Sequence, residues 1–206
     1  MFYSGIKQLD ELLGEIEEGR IVLIETVGGL GIEVAMSFVK DALKRDCDVF
    51  VVVSGGKERD IKRLLEKWMN RVKILKSGES FTFQELYTIS LITSKRKEKF
   101  GLIEILQPLL IVHDLQKVYS LFMEMTENLR KNGITVVFTI DKKLVEDRVL
   151  AMFEDESDIV VEIEEVIEGL KIRRGIRIKK SPNMSPSEFY DFKIDKDGIH
   201  IGDKVV

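Results

Sequence analysis

The sequence has one cysteine, Cys47, two histidines, His113 and His200, and three prolines among 206 residues. A single cysteine cannot form an internal disulfide, which fits a reducing compartment, so the expected location is the cytoplasm. One Cys and two distant His offer no zinc-ligand set, and His113, inside an apolar run, reads as a satisfied core residue. There is no Gly-x-Ser-x-Gly elbow and so no Ser-His-Asp candidate. No apolar run approaches the roughly 18 residues of a membrane span. The opening stretch MFYSGIKQLDELLGEIEEG is acidic and has no signal-peptide core. Asn and Gln are scarce, four of each, while 33% of residues are charged with both signs mixed. That bias is shared with hyperthermophile proteins, whose surface ion-pair networks gain value with temperature. The net charge of −4 gives no global field favouring nucleic acid.

What is present is enough apolar material, 44% of residues, to bury a full core in one domain. Strand-like runs at Ile21–Ile24, Asp48–Ser54, Val72–Leu75, Pro108–Asp114 and Ile134–Ile140 alternate with helical periods. The helical faces are Val34–Lys44, then Ile61, Leu64, Leu65 and Trp68, then Val118 to Leu129, closed by Gly133. Residues 83–107 read as broken helix around the charged turn SKRKEK. Apolar strands separated by helices imply a parallel sheet covered on both faces. After residue 158 the pattern changes to antiparallel hairpins, with turns expected at Glu168-Gly169 and Asp197-Gly198. On the run KIRRGIRIKK, Ile172, Ile176 and Ile178 share one face, and Arg173, Arg177 and Lys179 the other. The fold class is α/β, a three-layer sandwich with a mostly parallel central sheet, and residues 1–206 form one domain with 159–206 as a β-meander extension.

The stretch ETVGGLGIE, Glu25–Glu33, lies between the run IVLI and an amphipathic helix. Strand, glycine-rich turn and helix are the setting of a phosphate-binding loop. Upstream, Ser4, Gly5, Leu9, Asp10, Leu12, Leu13 and Gly14 make the pattern Ser-Gly, then Leu-Asp-x-Leu-Leu-Gly. With the loop, and with the closing IRRGIRIKKSPNMSPSEFYDFKIDKDGIHI, this resembles the RecA-superfamily ATPase cores of the KaiC and RadA type, as a degenerate archaeal member, over nearly the whole chain. The resemblance implies a RecA-like core and places LLIVHD at the Walker B strand, with Asp114 as its acid. It also implies a missing RadA-type N-terminal domain, since three residues precede the motif.

Departures from that family decide the functional expectation. Aligned on Gly31, the loop is Thr26, Gly28, Gly29, Gly31, Ile32 and Glu33, with Thr26 in place of the first glycine. Ile32 replaces the lysine that reaches the phosphates, and Glu33 replaces the hydroxyl residue that holds Mg²⁺. Where the resemblance implies acidic residues that activate water, the chain has Ser54, Gly55, Gly56 and Lys57, and Glu58 and Asp60 read as charges at a helix start. The expectation is a pseudo-ATPase, with no catalytic residues, a vestigial phosphate loop and no cofactor. Glu33 and Asp114 offer a bare possibility of facing each other around a cation.

A nucleic-acid partner is not expected. Arg173, Arg177 and Lys179 read as a solvated strand face, and residues 142–158 are acid-rich where a DNA loop would lie. The alternative function is a RecA-paralogue accessory factor in DNA repair with residual ATP or DNA binding. The favoured one is a regulatory or scaffold module that binds a protein or an extended peptide at a sheet edge, or pairs there as a homodimer. Phe2, on a very short tether, reads as a plug for its own core.

Overall fold

The computed structural model describes residues 1–168, 170–195 and 198–205. Six strands run parallel: β1 (Ile21–Thr26), β2 (Val49–Val53), β3 (Val72–Lys76), β4 (Phe100–Glu104), β5 (Thr135–Asp141) and β6 (Ile159–Glu168). Three follow antiparallel: β7 (Lys171–Lys180), β8 (Tyr190–Asp195) and β9 (Gly198–Lys204). Among the described residues they form one sheet in the order β3-β2-β4-β5-β1-β6-β7-β8-β9. The hairpin turns expected at Glu168-Gly169 and Asp197-Gly198 fall on Gly169 and Asp197, which lie outside the described residues.

Every residue of β1 and β2 is buried. Their side chains alternate between two cores, as the strand period of two requires. Val22, Ile24, Val49 and Val51 face a first core shared with α1 (Lys7–Leu13), α2 (Gly31–Lys44) and α3 (Glu58–Leu64). Ile21, Leu23, Phe50 and Val52 face a second core with α4 (Leu86–Ser94), α5 (Leu106–Val112), α6 (Leu115–Lys131) and α7 (Asp147–Glu156). Phe2 belongs to the first core: its ring centroid lies 5.0 Å from that of Phe100, and its backbone exchanges two hydrogen bonds with Ile16.

Three expectations are corrected. Pro108–Asp114 is not a strand: most of it is α5, with Pro108 in the first turn, where a missing N–H is harmless. Residues 83–107 are not broken helix, because the helix stops at Ser94 and Phe100–Glu104 is strand β4. The period Ile61–Trp68 is split, α3 ending at Leu64 and a 3₁₀ turn covering Glu66–Arg71. Glu58 does begin α3, and its carboxylate pairs with Lys62 and Lys76. His113 caps the end of α5, half-buried, with Nε2 2.7 Å from the Phe83 carbonyl.

Gly101 in β4 makes room for Phe50 of the adjacent β2. A Cβ at this position would lie 2.3 Å from the Phe50 ring. Gly101→Ala is therefore expected to lower unfolding stability by about 1–3 kcal/mol, the usual cost of overpacking a core. Urea unfolding checks this, and Gly101→Ala with Phe50→Leu should recover part of the loss.

Candidate functional site

The Ser-Gly and Leu-Asp pattern near the start of the chain is a clasp. Asp10 on α1 accepts hydrogen bonds from the Ser4 amide at 2.7 Å and the Ser4 hydroxyl at 2.6 Å. Gly5 has φ of +74°, and a Cβ there would meet the Ser37 carbonyl of α2 at 2.9 Å. These residues hold the first turn of the chain against the helix that follows the glycine-rich loop.

The loop itself runs from the end of β1 into the start of α2. Gly28 and Gly29 have φ of +61° and +84°, the left-handed region that favours glycine. The Gly31 amide donates to Thr26 Oγ1 at 2.6 Å, and the Gly28 amide donates to Asp141 Oδ2 at 3.1 Å. The Leu30 and Ile32 amides make long turn contacts of 3.4 Å to the Val27 and Gly29 carbonyls. Gly31 has no room for a side chain, since a Cβ would sit 2.6 Å from that of Thr26. Ile32 turns onto the first core, and Glu33 is exposed.

Beyond the carboxyl ends of β1, β2, β4 and β5 lies a cavity of about 310 Å³, the place where open α/β sheets bind ligands. Thr26, Ile32, Ser54, Lys57, Glu104 and Asp141 are among its lining residues. Lys57 Nζ donates to Glu104 Oε1 across it. The Glu104 side chain is only 11% exposed, and its Oε2 is enclosed with no hydrogen-bond partner. Burial pushes the Glu104 carboxyl up, Lys57 pulls it down, and the nearby Glu33 charge adds to the rise.

Glu104 corrects the expectation for Asp114. The Asp114 side chain is 84% exposed at the start of α6 and lies 3.6 Å from Lys117. The carboxylate that Glu33 acts upon is that of Glu104, at the end of the true strand. Sequence reasoning missed it because the strand is short, contains a glycine and follows directly on a charged turn. In the sequence Lys57 reads only as a departure from the family pattern, yet it is the cation that lines the cavity. Among the described residues no group of three or more His, Cys, Asp or Glu is placed to hold a metal ion.

The chain is similar to a solved structure, a KaiC-like protein from the hyperthermophilic archaeon Pyrococcus horikoshii OT3, with a TM-score of 0.79 and 21% identity over 97% of each chain. The fold is of the RecA/KaiC type. No family model and no curated protein matches the sequence.

In this KaiC-type sheet the basic face of β7 is occupied by carboxylates. Arg177 and Lys142 each lie 2.6 Å from Glu162, and on the opposite face of the strand Arg174 lies 2.9 Å from Glu165. Burial works to raise the Glu162 carboxyl, but Lys142 and Arg177 outweigh it and hold it below the usual range. Lys179 lies 2.8 Å from Glu154 and 3.3 Å from Glu25. Lys180 donates to the carbonyls of Glu154 and Asp155.

Glu25, next to the loop, is fully buried, and its Oε1 has no partner. Burial first, then the hydrogen bond and charge of Glu154, push its pKa up to about 8 against the opposing pull of Lys179. An unfolded chain releases this proton near 4.5. Between those values the folded state holds a proton that the unfolded state has lost, so stability falls as pH rises through the window and levels off above it. Urea unfolding from about pH 5 to about pH 9 should show this decline, and Glu25→Gln should flatten it. An unchanged slope in the variant would remove Glu25 as its source.

Proposed function

We propose that this chain is a KaiC-type fold that does not hydrolyse ATP and that works through protein contacts. The observation that carries the reading is the state of the loop: the Gly31 and Gly28 amides donate to Thr26 and Asp141. A phosphate would have to displace both acceptors. No loop lysine compensates, and Glu33 and Glu104 oppose an incoming anion. The dipole of α2 still favours one, but such a dipole is worth typically about 0.3–1 kcal/mol.

The contact surface is the β6–β7 hairpin. β6 pairs with β1 only as far as Glu25 with Glu162, so residues 163–168 run on for roughly 20 Å at about 3.3 Å per residue. β7 pairs with β8 only at Gly175 and Ile176 among the described residues, so the edge at Lys171 and Ile172 lies beyond that strand pairing. Val166, Ile167, Leu170 and Ile172 on this arm are exposed. An extended peptide adding to that edge gains backbone hydrogen bonds and covers apolar side chains, and a second copy pairing there would give a homodimer.

Calorimetry with Mg-ATP and Mg-ADP is expected to show no binding to the native chain. A micromolar dissociation constant, about −8 kcal/mol, would contradict the reading. Ile32→Lys with Glu33→Thr should produce weak ATP binding, and adding Asp141→Ala should strengthen it by freeing the Gly28 amide. For the arm, Ile167→Lys should abolish any concentration-dependent self-association seen by sedimentation.

A further inference from the structure

We propose that the cavity beside the loop binds an aliphatic primary ammonium group, supplied by a free alkyl diamine or by a lysine side chain of a partner. The inference rests on the reading that this cavity holds no polyphosphate. Two carboxylates line it, Glu104 and Asp141, against one cation, Lys57, and Glu33 adds a third negative charge acting on Glu104. Lys57 serves only Oε1 of Glu104, and Oε2 is left enclosed and unpaired. A buried acceptor without a donor is costly, more so when it is charged. Turning the Glu104 carboxylate about its last bond, a broad torsion, moves both oxygens together and would present Oε2 to a donor entering the cavity as Lys57 loosens its hold on Oε1.

The remaining walls select the kind of donor. Ile32, Leu106, Pro108, Ile111 and Leu144 form an apolar side, and Ile111 and Leu144 are exposed at its rim. A four- or five-carbon stem lies along such a wall while its ammonium reaches the acid, as lysine stems do on apolar surface. A guanidinium is matched less well, because its fork calls for two acceptor atoms side by side and Oε1 is already taken by Lys57. A hard divalent cation needs about six oxygen ligands, and the described residues gather no such set. A neutral alcohol of the same length would leave the excess negative charge unanswered.

The test is a titration of the full-length chain, followed by amide NMR shifts and calorimetry, near pH 8 and at low salt. The probes are 1,5-diaminopentane, N-acetyl-lysine methylamide, their uncharged counterparts pentanol and N-acetyl-norleucine methylamide, and Mg-ATP. The ammonium probes are expected to shift the amides around Glu104 and Ile32 and to bind about tenfold or more tightly than the uncharged ones, a difference of about 1.4 kcal/mol. Glu104→Gln should remove that preference, and Asp114→Asn should leave it unchanged. Lys57→Met should strengthen ammonium binding by removing the internal competitor, a gain that a merely structural role would not produce. Binding of the diamine alone identifies a free amine as the source, and binding of the lysine amide as well admits a partner side chain. Equal binding of charged and uncharged probes, or an undiminished preference in Glu104→Gln, overturns the proposal. Silence towards both amines and Mg-ATP overturns it while leaving the nucleotide-free reading in place, whereas shifts with Mg-ATP overturn that reading and this one with it.

Discussion

The hydrogen bond from the Gly31 amide to the Thr26 hydroxyl, 2.6 Å long, closes the loop on itself. It joins the last residue of β1 to the first residue of α2 and so fixes how the helix leaves the sheet. It forms because Gly31 has no side chain and Thr26 stands close enough to fill the space. Asp141 at the end of β5 makes the second tie, through the Gly28 amide. An anion-binding loop needs its amides pointing outward and free. Here two of them are satisfied by the protein's own oxygens, which supports the proposal that the loop holds no nucleotide.

The charges next to the loop follow the same logic. Lys57 and Glu104 face each other across the cavity, so that each answers part of the other's charge. Such a pair does not by itself make a protein more stable, because burial costs Glu104 its water while Lys57 stays half in solvent. What it does is set the sign and shape of the cavity. On the other side of the sheet, Glu25, Glu154, Glu162, Lys142, Arg177 and Lys179 link β1, β6, β7 and α7 through paired charges. The parallel and antiparallel halves are thus joined by ion pairs as well as by strand hydrogen bonds, and the hairpin arm extends from that joint.

Much of the fold was legible because buried parallel strands leave plain apolar runs. Ile21–Ile24, Asp48–Ser54 and Ile134–Ile140 all lie on observed strands. The long helices showed in their periodicity, and the loop showed in its glycines. Residues 83–114 resisted for physical reasons. LLIV in Leu109–Val112 is apolar, yet Leu109 is buried while Ile111 and Val112 are exposed, so the run marks a helix lying on the surface and not a strand. The real strand, Phe100–Glu104, is five residues long and carries a glycine that serves Phe50 on the neighbouring strand. That need for space is a tertiary fact with no local signal. The consequence for the site is direct: the apolar run points to Asp114, whereas Glu104 and Asp141 are the carboxylates that line the cavity. The replacements at Ile32 and Glu33 were visible from sequence. The capture of the Gly28 amide by Asp141, 113 positions along the chain, was not.

The central claim is that the Gly28 and Gly31 amides are already held by Asp141 and Thr26 and that the loop does not receive phosphate. The most direct measurement is the NMR signal of the Gly28, Gly31 and Ile32 amides as Mg-ATP is raised to millimolar concentration. If the account holds, all three resonances stay in place and the Gly28 and Gly31 amides exchange slowly with solvent with or without nucleotide. Saturable shifts of these three amides on adding Mg-ATP would contradict it.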